Sequence, residues 1–354
     1  MNDAQRSYFP LPPADRVPAL LELRRHLSAS LRTRLADYAL RAATLPHAEV
    51  IPLLRALQAE IPARDAIVQA DQAPEPQPAA GRLPANESAH DRYFHVCRIS
   101  NPESTDFLRG VVVATLLFHT EMSADYGPAD ARRFEAVGLG FAALLGEIGG
   151  IRVAPVEQTA RESFAPPPEL DPRRRWMVGH QIFATLTQGI IFALQECERA
   201  IHESNTPHAR DSLEIAADLL MASAAAFRFA ADFPPSAYSD VIRPSMMPPH
   251  LGEGFSGVLS ADHRQLVAVL LRTRPLMDDA AIRFAPQHQR LTAALNHVYD
   301  HHKFVCAEFD GAVKPSLRCP DSSALPGVEQ LHRFQRARVR LLRPESKADV
   351  VIVE

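Results

Sequence analysis

The residues best placed to do chemistry are a histidine and a cysteine four positions apart, His302 and Cys306. They stand in the run His297-Val298-Tyr299-Asp300-His301-His302-Lys303-Phe304-Val305-Cys306. The pattern around them predicts one long amphipathic helix, starting near Pro286 and ending by Gly311. On a helix, positions i and i+4 share a face and lie roughly 5–6 Å apart. Leu295, Val298, Tyr299, Val305 and Phe309 fall on that same face. An imidazole there could ligate a haem iron axially while the sulfur reaches the porphyrin edge. The common attachment string, Cys-x-x-Cys-His, is absent from this sequence. The plainer alternative is a hydrogen-bonded core histidine beside a buried thiol, since free cysteine is often buried.

A second histidine, His263, lies 38 intervening residues upstream. Ser260 is a natural N-cap, which puts His263 in a first helical turn. Leu266, Val267 and Leu270 continue its face into apolar surroundings. A helix N-terminus disfavours positive charge, so the imidazole stays neutral, as a metal ligand must be. Two such histidines on neighbouring helices could grip a planar cofactor between them.

His263, the 38-residue gap and then His302-Lys303-Phe304-Val305-Cys306 resemble the haem motif of the 3-methyl-L-tyrosine hydroxylases of saframycin-type antibiotic biosynthesis. That family is similar to the histidine-ligated, tryptophan 2,3-dioxygenase-like enzymes that oxygenate aromatic amino acids. The resemblance is densest from Arg243 to Gly311, and the length and helical pattern fit along the whole chain. It implies a b-type haem with His263 and His302 as axial iron ligands, held covalently by one thioether at Cys306. It also implies a monooxygenase that converts 3-methyl-L-tyrosine to a catechol. The oxidant would be hydrogen peroxide, or oxygen with a reductant. The competing reading is a bis-histidine haem protein for sensing or electron transfer, with no organic substrate.

An amino-acid substrate also needs a partner for its carboxylate, and Arg98 and Arg243 are candidates. Ser256 and nearby backbone N–H groups could line the substrate side, and so could His180, although a satisfied core histidine accounts for it as well. With both histidines bound, iron has no open position, so one must leave during turnover. His263, which follows Gly252, Gly254 and Gly257, is expected to do so by a small backbone shift. In the counter-reading His302 swings away while the thioether holds the haem.

The 354-residue chain is 46% hydrophobic with a net charge of −4. Such a balance gives no reason to expect binding to nucleic acid or an anionic membrane. The four cysteines, Cys97, Cys197, Cys306 and Cys319, are scattered and form no zinc or disulfide framework, which suits the cytoplasm. The run Ile182 to Leu194 is too short and too polar to span a bilayer. There is no Gly-x-Ser-x-Gly, Walker loop or His-Glu-x-x-His, which argues against hydrolase and kinase chemistry.

These residues must be positioned by helices. The spacing of apolar residues predicts helices over Arg16–Ala43, Val50–Ala59, Thr105–Met122, Ala129–Ile148, Arg173–Glu203, Arg210–Ala231 and Val328–Leu342. Gly138, Gly140 and Gly146 fall inside one of them instead of in a strand-to-helix turn, so they are no nucleotide loop. Tyr93–Ser100 reads as a short strand or helix. Sustained alternation occurs only at Val350–Val353, so the fold class is all-α, resembling the tryptophan 2,3-dioxygenase-like fold. The organisation is an N-terminal helical arm (1–65), a Pro/Ala-rich linker or loop (66–92), a haem and substrate domain (93–345) and a tail (346–354). The arm reads either as a docking element exchanged within a homodimer or as an ordinary helical pair on the same domain.

Overall fold

In the computed structural model, residues 9–62, 85–127, 130, 132–157, 170–251, 255–309, 311, 313–314 and 325–343 are described. The helices in chain order are α1 (Leu20–Arg25), α2 (Ala29–Arg41), α3 (His47–Glu60), α4 (Ala85–Tyr93), α5 (Ser104–Asp125), α6 (Glu135–Gly149), α7 (Pro172–His202) and α8 (Thr206–Ala230). They continue with α9 (Pro235–Ala237), a π-helical stretch (Tyr238–Ile242), α10 (Arg243–Ser245), α11 (Ala261–Arg283), α12 (Ala285–Glu308) and α13 (Gly327–Arg340). The fold is all-α. The strands among the described residues, β1 (Phe9–Leu11) and β2 (Val96–Arg98), form one parallel pair.

The α7–α8 pair is the centre. Asp171 caps α7, accepting from the Arg173 N–H at 2.9 Å, and Pro172 opens the helix, where a missing N–H costs nothing. Ile182, Leu186, Ile191, Leu194 and Cys197 of α7 are buried. This helix is long and apolar enough to cross a membrane, but most of it is buried inside the protein, and core packing accounts for its composition. At Gly179 a Cβ would lie 2.3 Å from the Ala230 Cβ. The two helices therefore cross in contact, and this close crossing fixes the level of the next residue, His180. Helix α6 packs on α8, with Gly140 set against Ala222 in the same way, while α12 covers another side of α8.

The sequence expectations differ from the structure in identifiable places. The helix expected over 16–43 is broken into α1 and α2, because the Ser28 side chain accepts from the Leu31 N–H at 3.0 Å and starts a new helix. Helix α6 begins at Glu135, later than expected, and ends at Gly150 in the left-handed region (φ 95°). Residues 85–93, all but the last inside the stretch read as linker, form α4. Phe9–Leu11, within the stretch read as an N-terminal helical arm, is β1. Helix α2 packs on α6, and α3 packs on α5, within one chain. Gly252, Gly254, Cys319 and Val350–Val353 lie outside the described residues.

Candidate active site

Four helices bring one histidine each within electrostatic reach of the others: His90 from α4, His180 from α7, His263 from α11 and His302 from α12. Burial pushes the His302 imidazole down to about 4, and His263 depresses it further. Burial likewise takes His263 to about 4, with the positive charge of Arg338 and then His90 adding to the effect. His180 is driven to about 3, mainly by burial, and it also feels His90 and His302. His180, His263 and His302 are nonetheless partly exposed. All three are neutral near pH 7, so each can present a nitrogen lone pair.

His302 sits mid-helix, with its ring stacked on Phe227 at 4.3 Å and 20°. Phe227 in turn packs on Phe183 at 4.5 Å. Ser260 caps α11, its hydroxyl accepting from the His263 N–H at a long 3.4 Å. Neither imidazole has a hydrogen-bond partner among the described residues. Cys306 is half-buried one turn beyond His302. A Cβ at Gly311 or Gly327 would fall 2.2 or 2.9 Å from its sulfur, so only glycine lets the chain approach it there. Burial raises its thiol pKa, and Arg243 opposes the rise.

His180 is held on two sides. Its ring stacks on Phe94 at 4.0 Å and 9°, and Trp176 lies 4.2 Å away. Its Nδ1 is 2.7 Å from the Trp176 carbonyl oxygen. A carbonyl can only accept, so Nδ1 carries the proton and Nε2 of the neutral ring is a bare acceptor. No described residue hydrogen-bonds that Nε2. The sequence left His180 as either a satisfied core histidine or a pocket residue; the structure satisfies one of its two ring nitrogens.

The remaining expected residues divide. The Ser256 hydroxyl is buried without a hydrogen-bond partner, beside Phe255, which stacks on His90 at 5.7 Å. Arg243 lies near Cys306 and Tyr238, and its charge and hydrogen bond oppose the burial that raises the Tyr238 phenol. Arg98 is committed elsewhere. It meets Asp91 through Nε (2.8 Å) and NH2 (2.9 Å), and Asp262 through NH1 (3.0 Å) and NH2 (2.7 Å). Burial disfavours its charge, but Asp262 and Asp91 outweigh that and raise its pKa. Gln188 adds a 2.8 Å bond to Asp262. Arg98 is therefore a clasp, and it fixes the neighbours in sequence of both His90 and His263.

Sequence reasoning missed His90, which lay inside the supposed linker; the i,i+4 pair His90/Phe94 was its one local signal. Its Nδ1 is buried and unpartnered, 3.9 Å from an Asp91 oxygen. Among the described residues no three His, Cys, Asp or Glu side chains come together to hold a metal ion. A bare metal centre takes three or four protein ligands, whereas a haem brings four nitrogens of its own. Two neutral imidazoles with a thiol one turn away fit a haem and do not fit a naked ion.

Comparison with known proteins places the chain. Residues 10–294 match the model of the family described as SfmD 3-methyl-L-tyrosine peroxygenase. That span includes His90, His180 and His263 and stops short of His302 and Cys306. A Streptomyces lavendulae protein named 3-methyl-L-tyrosine peroxygenase is 30% identical over 263 residues, covering 73% of this chain and 71% of that protein. The fold is similar to a crystal structure of SfmD reduced by soaking with sodium hydrosulfite. The TM-score is 0.62 at 24% identity, over 84% of this chain and 96% of that one. The chain is an oxidoreductase and belongs to the SfmD family of 3-methyl-L-tyrosine peroxygenases.

Proposed function

We propose that this enzyme is a haem-dependent peroxygenase that hydroxylates the ring of 3-methyl-L-tyrosine, or a close tyrosine derivative, as a step in natural-product biosynthesis. The reaction consumes one hydrogen peroxide. One oxygen replaces a ring hydrogen ortho to the phenol, and the other leaves as water. The observation that carries this reading is the pair of neutral, unpartnered imidazoles of His263 and His302, close enough for one to depress the other, in a chain of this family. The haem, once bound, supplies the oxygen-activating chemistry.

The chain's own residues supply the rest. His302 and His263 would hold the haem through their free ring nitrogens, and Cys306, one turn beyond His302, would tether it by one thioether. His180 Nε2 accepts the hydrogen bond of the substrate phenol and orients the ring. Phe94, Trp176 and Phe255 exclude water around it. The free thiols among the described residues, Cys97, Cys197 and Cys306, suit a reducing compartment, and we assign the enzyme to the cytoplasm.

The deciding experiment is a visible spectrum of the purified protein, before and after 3-methyl-L-tyrosine, followed by product analysis with peroxide. A haem band perturbed by substrate and one added hydroxyl are expected. A haem band indifferent to the amino acid, with no product, would instead favour the sensing or electron-transfer reading. No haem band after expression with ample haem would sink both.

A further inference from the structure

Helix α13 lies antiparallel along α12: Lys303 Nζ donates to Gln335 Oε1 at 2.8 Å, Gln335 Nε2 donates to Asn296 Oδ1 at 2.9 Å, and His288 Nε2 meets the Leu342 carbonyl at 2.5 Å. Arg338 lies one turn beyond Gln335, and its charge reaches inward. It depresses the His263 imidazole and opposes the burial that pushes the Tyr299 phenol up to about 12. Its Nε is fully buried with no hydrogen-bond partner, and no ion pair engages its guanidinium among the described residues.

Other arginines around the core are already engaged. Arg98 is held by Asp91 and Asp262, Arg243 by Tyr238, and Arg290 by Glu214 and Asp218. A guanidinium with a dry, unsatisfied N–H is costly unless an anion completes it, and its planar fork matches a carboxylate. We propose that Arg338 is a carboxylate-binding residue beside His263. The proposal rests on the haem and tyrosine reading above, which provides two carboxylates: the α-carboxylate of the amino acid and a haem propionate.

The test uses Arg338→Gln and Arg338→Lys, with folding checked by circular dichroism and thermal melting. Two readouts separate the sources. The first is the preference for 3-methyl-L-tyrosine over the corresponding amine, which lacks the carboxylate, measured as KM and kcat. The second is haem uptake by apo-protein in the Cys306→Ala background, where attachment stays reversible. If Arg338 grips the substrate, Arg338→Gln loses the preference by roughly 10- to 100-fold, mostly in KM, and haem uptake holds. If it grips a propionate, haem affinity falls by a similar factor and the preference stays. Arg338→Lys should recover part of either loss, because it keeps the charge without the fork.

Unchanged preference together with unchanged haem uptake overturns the proposal. So does destabilisation by both substitutions without a change in either readout, which would mark a structural role. Should the wild type take up no haem, the functional reading fails by itself. Arg338 is then tested by calorimetry of the amino acid and the amine on haem-free protein, where equal affinities for wild type and Arg338→Gln would overturn it.

Discussion

His302 and His263 influence each other's charge, yet they stand on helices that restrain them in opposite ways. His302 belongs to the middle of α12, and its ring is braced by Phe227 and, behind that, Phe183. One turn on, Cys306 is wedged against Gly311 and Gly327. His263 belongs to the first turn of α11, where no aromatic ring among the described residues touches it. Its backbone, however, is anything but loose. Asp262, only 1% exposed, is clamped by Arg98 and Gln188. The sequence suggested that His263 would withdraw through a backbone shift. The clasp opposes that, since breaking one side of a buried ion pair costs roughly 3–5 kcal/mol. Rotating an unbraced ring costs far less, because staggered wells are separate but accessible. What the comparison teaches is that a side chain can be mobile on a fixed backbone, and we expect His263, as a proposed iron ligand, to leave by side-chain rotation.

The largest effects should come from removing each ligand in turn. His302→Ala should lose turnover by more than about 100-fold, beyond the cost of losing an outer-sphere partner. His263→Ala should give a five-coordinate spectrum and still bind cyanide or peroxide. A His302→Ala enzyme that keeps substantial activity beside an inactive His263→Ala would reverse the two roles. Cys306→Ala is read by denaturing mass spectrometry: the haem adduct should disappear. A wild-type polypeptide of unmodified mass in a haem-loaded sample would remove the thioether from this account.

Next in size is the clasp itself. Arg98→Gln leaves two buried carboxylates facing each other, so unfolding free energy should drop by about 3–5 kcal/mol, read by chemical denaturation. Because Asp91 and Asp262 adjoin His90 and His263, the same variant should broaden the haem spectrum into mixed coordination. A fully folded, spectrally unchanged Arg98→Gln protein would show that the clasp does not position His263.

What the sequence made legible was local. Spacing put His302 and Cys306 on one face, Ser260 announced the start of α11, and Asp171-Pro172 announced α7. Each signal spans a few residues, so one helical turn of physics suffices to decode it. The clasp joins Asp91, Arg98 and Asp262 across nearly half the chain, and no periodicity records such a partnership. Arg338 looked like one more cation on a basic helix, because only the packing of α13 on α12 turns it inward. His90 was hidden by the Pro/Ala-rich run before it, which made the whole stretch read as linker. Strand β1 escaped for the same reason as the clasp: Phe9–Leu11 alternates for only three residues, and its partner lies at Val96–Arg98.

The smallest effect is the one that best separates backbone from side-chain release. Ser260→Ala removes the cap of α11, whose hydroxyl meets the His263 N–H at a long 3.4 Å. Removing a serine cap costs about 0.5–2 kcal/mol, and this stretched bond belongs at the low end. If His263 leaves through fraying of its helix turn, that loss feeds directly into ligand release. The five-coordinate fraction would then rise by about 2- to 5-fold, since 1.4 kcal/mol is a factor of ten. If the Arg98 clasp holds the turn and only the ring rotates, Ser260→Ala should lower the melting temperature slightly and leave cyanide on-rates within about twofold. We expect the second outcome. Phe227→Leu supplies the matching control for the other histidine, because it unbraces the His302 ring without touching its backbone. Faster cyanide binding in Phe227→Leu, with no change in Ser260→Ala or His263→Ala, would make His302 the ligand that moves.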